Sequence, residues 1–336
     1  MQTNMVTTNI QHITTLRYLP IYLESLRIDS ILDFDLYIKI NSEMVLYRSA
    51  DLPFTEQTLE KLRENNVARL YVQEDAKGKY QKYIEKNLSV ILQDRTIPET
   101  KRAGILYETS KTLMKDVLDN PSYGENIKRS QGLVANTVSY ILRGQEAFHN
   151  LLKLSSFDYY TYTHSVNVCT FAIALAQQAG YNDEEFLYNL GVGALLHDVG
   201  KSRISERILN KKTCLSPVEF ELMKKHPQWG VEILSRTDML ESVSMYPVLE
   251  HHERGTGRGY PHGLTLKDMH DYSRIVAIVD TFDAMTTKRV YQNAIETFPA
   301  LKVMFSLPED YDQKLLKIFA ELMGPDGLKS KIKPII

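Results

Sequence analysis

From about residue 145 to about Met323, one helix-period segment follows another, and this run limits the fold more than any other feature. Apolar residues recur at three- and four-residue intervals, while glycine and proline separate the segments. Strand-like runs are nearly absent from this half. Helices with one apolar face bury it against one another, so we predict an all-α helical bundle over residues 146–336.

The first part of the chain has a different pattern. Short runs with alternating or β-branched residues at Leu36–Ile40, Met44–Tyr47 and Arg69–Gln73 predict strands. Thr55 is suited to cap a helix that lies between the second and third of these strands. We therefore predict a small α+β domain over residues 1–95, with a regulatory role.

A helical connector is predicted between these two parts, over residues 96–145. The segments Glu99–Val117 and Glu125–Leu142 both have helical periodicity. A further helix is predicted from Lys77, and it is broken at Arg95–Pro98. The whole chain is thus predicted to be mainly α, with its chemistry in the last domain.

Charge and cysteine content limit the partners and the compartment. The 336 residues include 40 Lys and Arg against 42 Asp and Glu, so the formal net charge is −2. No global positive field is available to hold a nucleic-acid polymer, and a phosphate ligand must be bound locally. Cys169 and Cys214 are too few for a disulfide framework, and neither a signal peptide nor a run of eighteen apolar residues is found. We expect a cytoplasmic protein without a membrane segment.

Seven histidine and aspartate residues in the helical half are candidate metal ligands. They are His164, His197, Asp198, His226, His251, His252 and Asp280. Imidazole nitrogen and carboxylate oxygen are donors that iron, manganese and zinc accept, and this many donors could enclose more than one ion. Taken singly, each residue has an ordinary alternative as a core side chain, a helix cap or an ion-pair partner.

The sequence LLHDVGK contains the adjacent pair His197 and Asp198. The two leucines before the pair predict a buried helix end, and Gly200 supplies the exit from it. The two oxygens of an aspartate suit it to bridge two metal ions about 3.5–4 Å apart. Lys201 then follows within reach of a phosphate.

The chain from Phe157 to Tyr291 resembles the HD-GYP family, a branch of the HD-domain metal hydrolases. The blocks that carry the resemblance are THSVNV around His164, LLHDVGK around His197, KKHPQWGVEIL around His226, LEHHERGTGRGYPHGL from Leu249, and RIVAIVDTFDAMTTKRVY from Arg274. Five separated blocks in the family's order and approximate spacing are a specific signal.

This resemblance implies roles for individual residues. All seven candidates become ligands of a binuclear metal centre in which Asp198 bridges, and Asp198 and Lys201 take part in catalysis. Lys201, Tyr260 of the GYP signature and Arg289 are implied to bind substrate, and an arginine fork suits phosphate or guanine. The family favours iron as the metal, with manganese as the alternative.

The activity that the resemblance implies is metal-assisted hydrolysis of cyclic di-GMP to pGpG, with further cleavage to GMP left open. Two alternatives remain. One is hydrolysis of another cyclic dinucleotide such as cyclic GMP-AMP, and the other is a weakly active sensor or scaffold that binds the ligand. Expected partners are the cyclic dinucleotide, a signalling protein at the N-terminal domain or GYP loop, and a second copy of the chain.

Some positions depart from the family pattern. Certain members have a glutamate four residues before the first ligand histidine, where it helps to hold a third metal, and this chain has Tyr160. We therefore expect two metals rather than three. Thr256, Val290 and Gln292 stand where the family usually has Asp, Pro and a basic residue. These changes leave the ligands intact but fall where they could alter the fit of the substrate.

Overall fold

The computed structural model describes residues 17–67, 69–155, 161–287 and 294–324. These residues form two compact units that divide between Asn87 and Leu88. Strands pair into sheets in the N-terminal unit, and the second unit is helical. The predicted fold class, mainly α with a small α+β part before it, is confirmed.

The N-terminal unit is built on a four-stranded antiparallel sheet. Its strands and those of a two-stranded sheet are β1 (Tyr18–Tyr22), β2 (Ser30–Ile31), β3 (Leu36–Ile40), β4 (Glu43–Arg48), β5 (Pro53–Phe54) and β6 (Arg69–Gln73). The larger sheet has the order β1-β6-β3-β4, and β2 pairs with β5. The three predicted strands correspond to β3, β4 and β6 and are confirmed. We did not predict β1, which contains Pro20 and lies at a sheet edge, where proline is tolerated.

One helix and the start of another cover this sheet. Helix α1 (Glu56–Glu64) begins after Thr55, whose side chain accepts a hydrogen bond from the backbone N–H of Thr58 as predicted. Buried Leu62 joins the apolar core, and two tyrosines of α2 (Lys77–Gln93) contact the ring of Phe34 edge-on. Burial of these apolar groups is the main stabilising contribution in so small a unit.

The second unit is a bundle of helices. They are α3 (Glu99–Asp119), α4 (Gly124–Ile141), α5 (Gln145–Leu154), α6 (Thr161–Gln178), α7 (Glu184–Leu196), α8 (Glu206–Leu209), α9 (Pro217–Met223), α10 (His226–Ser235), α11 (Met245–Glu250), α12 (Asp271–Thr286), α13 (Thr297–Phe305) and α14 (Gln313–Met323). A short 3₁₀ segment, Val199–Arg203, follows α7. The two connector helices predicted from periodicity are α3 and α4, and Pro98 immediately precedes α3. Both helices belong to the second compact unit.

Helix α6 lies at the centre of this bundle. Its residues from Thr163 to Gln177 are all buried, because α3, α4, α5, α7, α12 and α14 pack around it. A helix enclosed on every side has no solvent-facing stripe, so its polar side chains must find partners inside the protein. His164 and Asn167 are two such side chains.

The described part of the second unit contains one isolated β-bridge, between Thr256 and Thr265. Across all the described residues, none of the helices combines the length and the hydrophobicity that a bilayer crossing requires. The expected cytoplasmic location stays a prediction.

Candidate metal centre

Five helical elements bring the seven candidate ligands together. His164 lies on α6, His197 and Asp198 follow α7, His226 begins α10, His251 and His252 follow α11, and Asp280 lies on α12. Six of the seven are buried, and the His252 side chain remains 21% exposed. The cluster is therefore closed on most sides and opens near His252.

The potential ligand atoms form three groups of three among the described residues, and the atoms within each group lie within 4.8 Å of one another. Two groups share no residue: the first is His226, His251 and His252, and the second is His164, His197 and Asp280. The third, His197, Asp198 and His251, joins these two. In the first group the Nε2 atoms of His226 and His251 are 3.0 Å apart. In the second, His164 Nε2 is 3.0 Å from Asp280 Oδ1.

Asp198 lies between these two groups. Its Oδ1 is 3.3 Å from His226 Nε2 and 3.8 Å from His251 Nε2. Its Oδ2 is 3.5 Å from His197 Nε2 and 3.7 Å from His164 Nε2. One carboxylate oxygen therefore faces each group.

Backbone carbonyls set the tautomers of three histidines. The Nδ1 of His197 donates to Ala194 O at 2.7 Å, that of His226 to Met223 O at 2.8 Å, and that of His251 to Pro247 O at 2.8 Å. A carbonyl oxygen only accepts, so the proton of each neutral ring is on Nδ1 and Nε2 has a lone pair. The imidazoles are thus oriented as metal-ligating histidines usually are, with a polar group on the far nitrogen.

The inward-facing atoms fit a cation. Among the described residues, His197 Nε2 and Asp198 Oδ1 are buried and make no hydrogen bond. Two histidine lone pairs facing each other at 3.0 Å, together with such buried acceptors, are unfavourable unless a positive charge lies between them. Nitrogen and carboxylate donors suit first-row divalent metals, so the residues present fit the predicted metal site.

The protonation states also suit metal binding. Burial lowers the pKa of His226 to about 4 and holds the pKa values of His251 and His252 well below their usual range. Burial alone would raise the pKa of Asp198, but the Lys201 ammonium and neighbouring histidines outweigh it and hold that pKa well below its usual range. The pKa of Asp280 is also lowered despite its burial, chiefly by the neighbouring His164 imidazole and by His252. Neutral imidazoles and ionised carboxylates are the forms that bind metals.

Lys201 lies beside Asp198. Its Nζ donates to Asp198 Oδ2 at 2.5 Å, and its side chain is 14% exposed. The 3₁₀ segment that carries it crosses very close to α10, because a Cβ on Gly200 would lie 1.9 Å from His226 O. The glycine at this position therefore allows the segment after α7 to approach His226, the candidate ligand at the start of α10.

The loop with the GYP sequence borders the open side of the cluster. The ring of Tyr260 lies 4.7 Å from that of His252, measured between centroids. Buried Glu253 holds the loop, because its carboxylate accepts the backbone N–H groups of the three residues 262–264 at 2.6–3.1 Å. A Cβ on Gly259 would lie 2.4 Å from Glu253 Cα, so the loop can close against its own start only with glycine there.

Some predicted positions lie outside the described residues. Arg289, the predicted phosphate or guanine contact, is one of these, and Tyr160, Val290 and Gln292 are the others. Thr256 is described: its hydroxyl donates to Asp310 Oδ1 at 2.7 Å. This hydrogen bond links the loop that contains Thr256 to the segment before α14.

Three residues of this region were not predicted. Glu253 holds the GYP loop, and Asp283 and Asn167 contact the histidine network. The spacing contained a signal, because Asp283 lies three residues after Asp280 and Asn167 three after His164, which places each pair on one helix face. The sequence does not distinguish these residues from other polar ones, because only their burial in the fold shows that they must have partners.

Comparison with known proteins identifies the family of this chain. The family model described as HD domain matches residues 146–315. A protein of Pseudomonas aeruginosa named cyclic di-GMP phosphodiesterase PA4108 is 32% identical over 228 residues, which cover 67% of this chain and 55% of that protein. A protein of Vibrio cholerae named 3'3'-cGAMP-specific phosphodiesterase 2 is 43% identical over 99 residues, covering 29% of this chain and 19% of that protein.

A solved structure supports the fold. Bd1817, described as a HDG"Y"P protein from Bdellovibrio bacteriovorus, superposes with a TM-score of 0.63 at 24% identity, covering 91% of this chain and 99% of that one. The chain belongs to the HD domain family, as its resemblance to the HD-GYP branch predicted. It spans about half the length of the first relative and much less of the second.

Proposed function

We propose that this chain is a metal-dependent phosphodiesterase that hydrolyses a cyclic dinucleotide, with cyclic di-GMP as substrate and pGpG as first product. Further cleavage of pGpG to GMP is left open. The observation that carries the proposal is the position of Asp198, with one carboxylate oxygen facing each group of three ligands. A carboxylate placed in this way is suited to hold two ions about 3.5–4 Å apart, the spacing used in two-metal hydrolysis.

In this proposal each of the two ligand groups would hold one divalent ion, and Asp198 would offer one oxygen to each. His226, His251 and His252 form one set, and His164, His197 and Asp280 form the other. Bound ions would act as Lewis acids that lower the pKa of metal-bound water to about 7 and stabilise negative charge on the phosphoryl oxygens. Iron is the preferred metal and manganese the alternative, since nitrogen and oxygen donors accept both.

The charge of the site explains why the substrate needs the metal. With its histidines neutral, the ligand set has the charges of Asp198 and Asp280, and Lys201 offsets one of them. A cyclic dinucleotide has two negative phosphates, which this net negative cluster would repel. Cations in the cluster reverse the local charge and allow the phosphates to approach.

Protein side chains then orient the substrate. Lys201, already beside Asp198, is placed to contact a phosphate as a cation. Tyr260 has its ring beside His252 at the open side of the cluster, where an aromatic face can stack on a base. Arg289 is proposed as a further contact to phosphate or guanine on the strength of the motif alone.

Two observations favour cyclic GMP-AMP as the alternative substrate. The Vibrio cholerae relative with 43% identity over 99 residues is named for 3'3'-cGAMP, and this chain has Thr256 where the HD-GYP pattern usually has aspartate. Hydrolysis of cyclic GMP-AMP is therefore the alternative activity. A binding protein with little turnover is less well supported, because binding alone would not require the complete ligand set beside Lys201.

We also propose an organisation of the chain into three parts. Residues 1–95 are a regulatory domain, residues 96–145 a connector and residues 146–336 the catalytic domain. A signalling protein is proposed to bind at the N-terminal domain or GYP loop, and the chain is proposed to form homodimers.

The test is anaerobic purification, metal quantification and incubation with cyclic di-GMP or cyclic GMP-AMP, followed by chromatography of the products. We expect about two metals per chain and pGpG or GMP, with turnover abolished by a chelator. His197→Ala should lose metal and activity, whereas His149→Ala, a half-buried histidine of α5 outside the cluster, should keep both. Bound metal without turnover of either dinucleotide would favour the sensor alternative, and absence of metal would refute the proposal.

A further inference from the structure

A buried chain of hydrogen bonds leads from α3 to the first ligand histidine. The hydroxyl of Tyr107 donates to Asn167 Oδ1 at 3.1 Å, and Asn167 Nδ2 donates to Asp283 Oδ1 at 2.8 Å. The other oxygen of Asp283, Oδ2, lies 2.6 Å from His164 Nδ1. All four residues are at most 5% exposed. We call these four residues the Tyr107–His164 chain.

The hydrogen bonds of the Tyr107–His164 chain can run in only one direction. Asn167 Nδ2 also donates to Ser155 O at 3.2 Å, and a carbonyl oxygen can only accept. The amide nitrogen of Asn167 must therefore point towards Asp283, and its oxygen towards the Tyr107 hydroxyl. Asp283, which also accepts from the Thr287 hydroxyl at 3.2 Å, is surrounded by donors.

The direction of the chain determines the tautomer of His164. The Asp283 carboxylate accepts from Asn167 Nδ2 and from the Thr287 hydroxyl, and we assign it the acceptor role towards His164 as well. The proton of a neutral His164 ring is then on Nδ1. Its Nε2 then presents a lone pair to the cluster, where it lies 3.0 Å from Asp280 Oδ1. Three other candidate ligands, His197, His226 and His251, use backbone carbonyls for this purpose, whereas His164 depends on side chains.

Tyr107 acts from outside the part of the chain that the HD domain model matches. That match covers residues 146–315, and α3 ends at Asp119. Helix α3 packs against α6, which carries His164, and also against the 3₁₀ segment that carries Lys201. One helix outside the matched region therefore contacts two of the segments that form the candidate metal centre.

We infer that Asp283, Asn167 and Tyr107 are positioning residues for the metal centre, and that the Tyr107–His164 chain holds the His164 ring in its metal-binding tautomer. The inference rests on the proposed function, because it requires a metal at His164. It assigns α3 a role in metal affinity that does not depend on contact with metal or substrate. A displacement of α3 would alter the hydrogen bonds of Asn167 and, through Asp283, the orientation of His164.

Asp283→Asn tests the direction of the chain. Its oxygen must face the Asn167 amide nitrogen, so its amide nitrogen must face His164 Nδ1, which then becomes an acceptor. The proton of His164 moves to Nε2, which can no longer ligate. We expect affinity for Mn²⁺, measured by competition with a chelator, to fall roughly 10- to 100-fold, the usual effect of losing such a partner.

The tautomer itself is measured by nitrogen NMR of histidine-labelled protein loaded with Zn²⁺, a diamagnetic probe. In the wild type, the His164 signals should show a proton on Nδ1 and a ligated Nε2. In Asp283→Asn they should show a proton on Nε2 and no ligation. A purely structural role for Asp283 would change stability without changing the tautomer of the folded protein.

Tyr107→Phe provides the second, milder variant, because it removes one hydroxyl and keeps the ring. We expect Mn²⁺ affinity to fall roughly two- to tenfold, the range that one buried hydrogen bond contributes. The matched control is Tyr140→Phe on α4, which removes another buried tyrosine hydroxyl, the donor to Glu99 O at 3.3 Å, and should leave Mn²⁺ affinity unchanged.

The outcomes separate this inference from the proposed function. Wild-type affinity and an Nδ1-protonated His164 in both folded variants would overturn the inference and leave the phosphodiesterase proposal intact. A wild-type protein that binds neither Mn²⁺ nor Zn²⁺ at His164 would overturn both. Equal losses in Tyr107→Phe and Tyr140→Phe would show a general effect of stability and would also overturn the role of Tyr107.

Discussion

At Asp198, burial and charge act on the carboxyl group in opposite directions, and charge prevails. Removal from water favours the neutral acid, whereas the Lys201 ammonium and the nearby histidines favour the anion and hold its pKa well below the usual range. The group is therefore charged at neutral pH in an almost water-free position. Such a charge needs compensation, and Lys201 alone faces only one of its two oxygens.

Asp198→Asn is predicted to disrupt the metal centre while nearly preserving side-chain volume. The amide has one oxygen, so it can no longer present an acceptor to both ligand groups, and metal content should fall from about two per chain to one or none. Hydrolysis should fall by at least about 100-fold, in line with losing a metal-bridging group. Elemental analysis and product chromatography measure these quantities. Asp51→Asn, at an exposed position of the N-terminal unit, is the control, and unchanged metal and activity in Asp198→Asn would refute the bridging role.

His226 gives a pH prediction for the metal-free protein. Its pKa is about 4 when folded and about 6.5 when unfolded, so between these values the unfolded chain binds a proton that the folded chain does not. The free energy of unfolding must therefore decrease as pH falls through this window. From pH 7 to pH 5 the contribution of His226 is about 2 kcal/mol.

Urea unfolding in the presence of a chelator, at pH 7 and pH 5, measures this effect. Between pH 7 and pH 5 the free energy of unfolding of His226→Asn should fall by about 2 kcal/mol less than that of the wild type, because asparagine does not titrate. Asp198 and Asp280 affect the free energy of unfolding only below about pH 4, because their pKa values in the folded protein are lowered and unfolded aspartates titrate near pH 4. Equal losses in variant and wild type would contradict the pKa assigned to His226.

At the scale of the elements, the 3₁₀ segment Val199–Arg203 and helix α10 pack against each other, and both carry residues of the candidate site. The segment carries Lys201 and follows Asp198 directly, while α10 begins with His226. Their backbones meet at Gly200, where a Cβ would lie 1.9 Å from His226 O and 2.6 Å from Gly230 N. Packed interiors do not absorb such overlaps without moving a backbone. The distance between Asp198 and His226 therefore depends on this glycine.

Gly200→Ala is predicted to separate these two elements and to impair the metal centre. We expect the free energy of unfolding to fall by roughly 1–3 kcal/mol or more, the usual cost of overpacking. Metal content should fall as well, because the Oδ1 of Asp198 and the Nε2 of His226 can no longer approach to 3.3 Å.

Gly132→Ala on α4 is the matched control for that substitution. A Cβ at Gly132 meets no atom within 4 Å, so alanine adds helix propensity without overlap. Stability should rise by up to about 1 kcal/mol with metal content unchanged. Urea unfolding and elemental analysis of both variants check the pair, and a Gly200→Ala protein with normal metal content would show that the close approach is dispensable.

At the scale of the whole molecule, the described candidate ligands all lie in the second compact unit. Leu88, Ile91 and Leu92 at the end of α2 are buried, and the guanidinium groups of Arg102 and Arg143 donate to Leu92 O. The end of α2 is thus held by the helical unit. A fragment that contains the metal centre should begin early enough to keep this helix whole.

We predict that a fragment of residues 77–336, which retains the whole of α2, folds and binds metal like the full chain. The reason is that every described ligand and hydrogen bond of the metal centre lies within it. Circular dichroism, metal content and turnover of cyclic di-GMP, compared with the full chain, are the measurements. Reduced turnover with normal metal content would indicate that the N-terminal unit contributes to activity, whereas loss of metal would contradict the prediction.

Much of this protein was readable from local pattern. Periodicity predicted α2, α3, α4 and the helical second half, and β-branched alternation predicted β3, β4 and β6. The ligand candidates were recognisable because imidazole and carboxylate groups are scarce in apolar helices and their blocks match one family. These features depend on residues near one another in sequence, so no knowledge of long-range contacts is needed to find them.

Other features depend on contacts between distant residues and became visible only in the folded chain. Asp198 is 28 residues or more from three of the histidines near it, and its position between the two ligand groups follows from the packing of α6, α7, α10 and α11. The Tyr107–His164 chain joins residues more than a hundred positions apart. Buried polar groups must be paired, but which group meets which is decided by how helices pack, and short-range sequence patterns do not specify that packing.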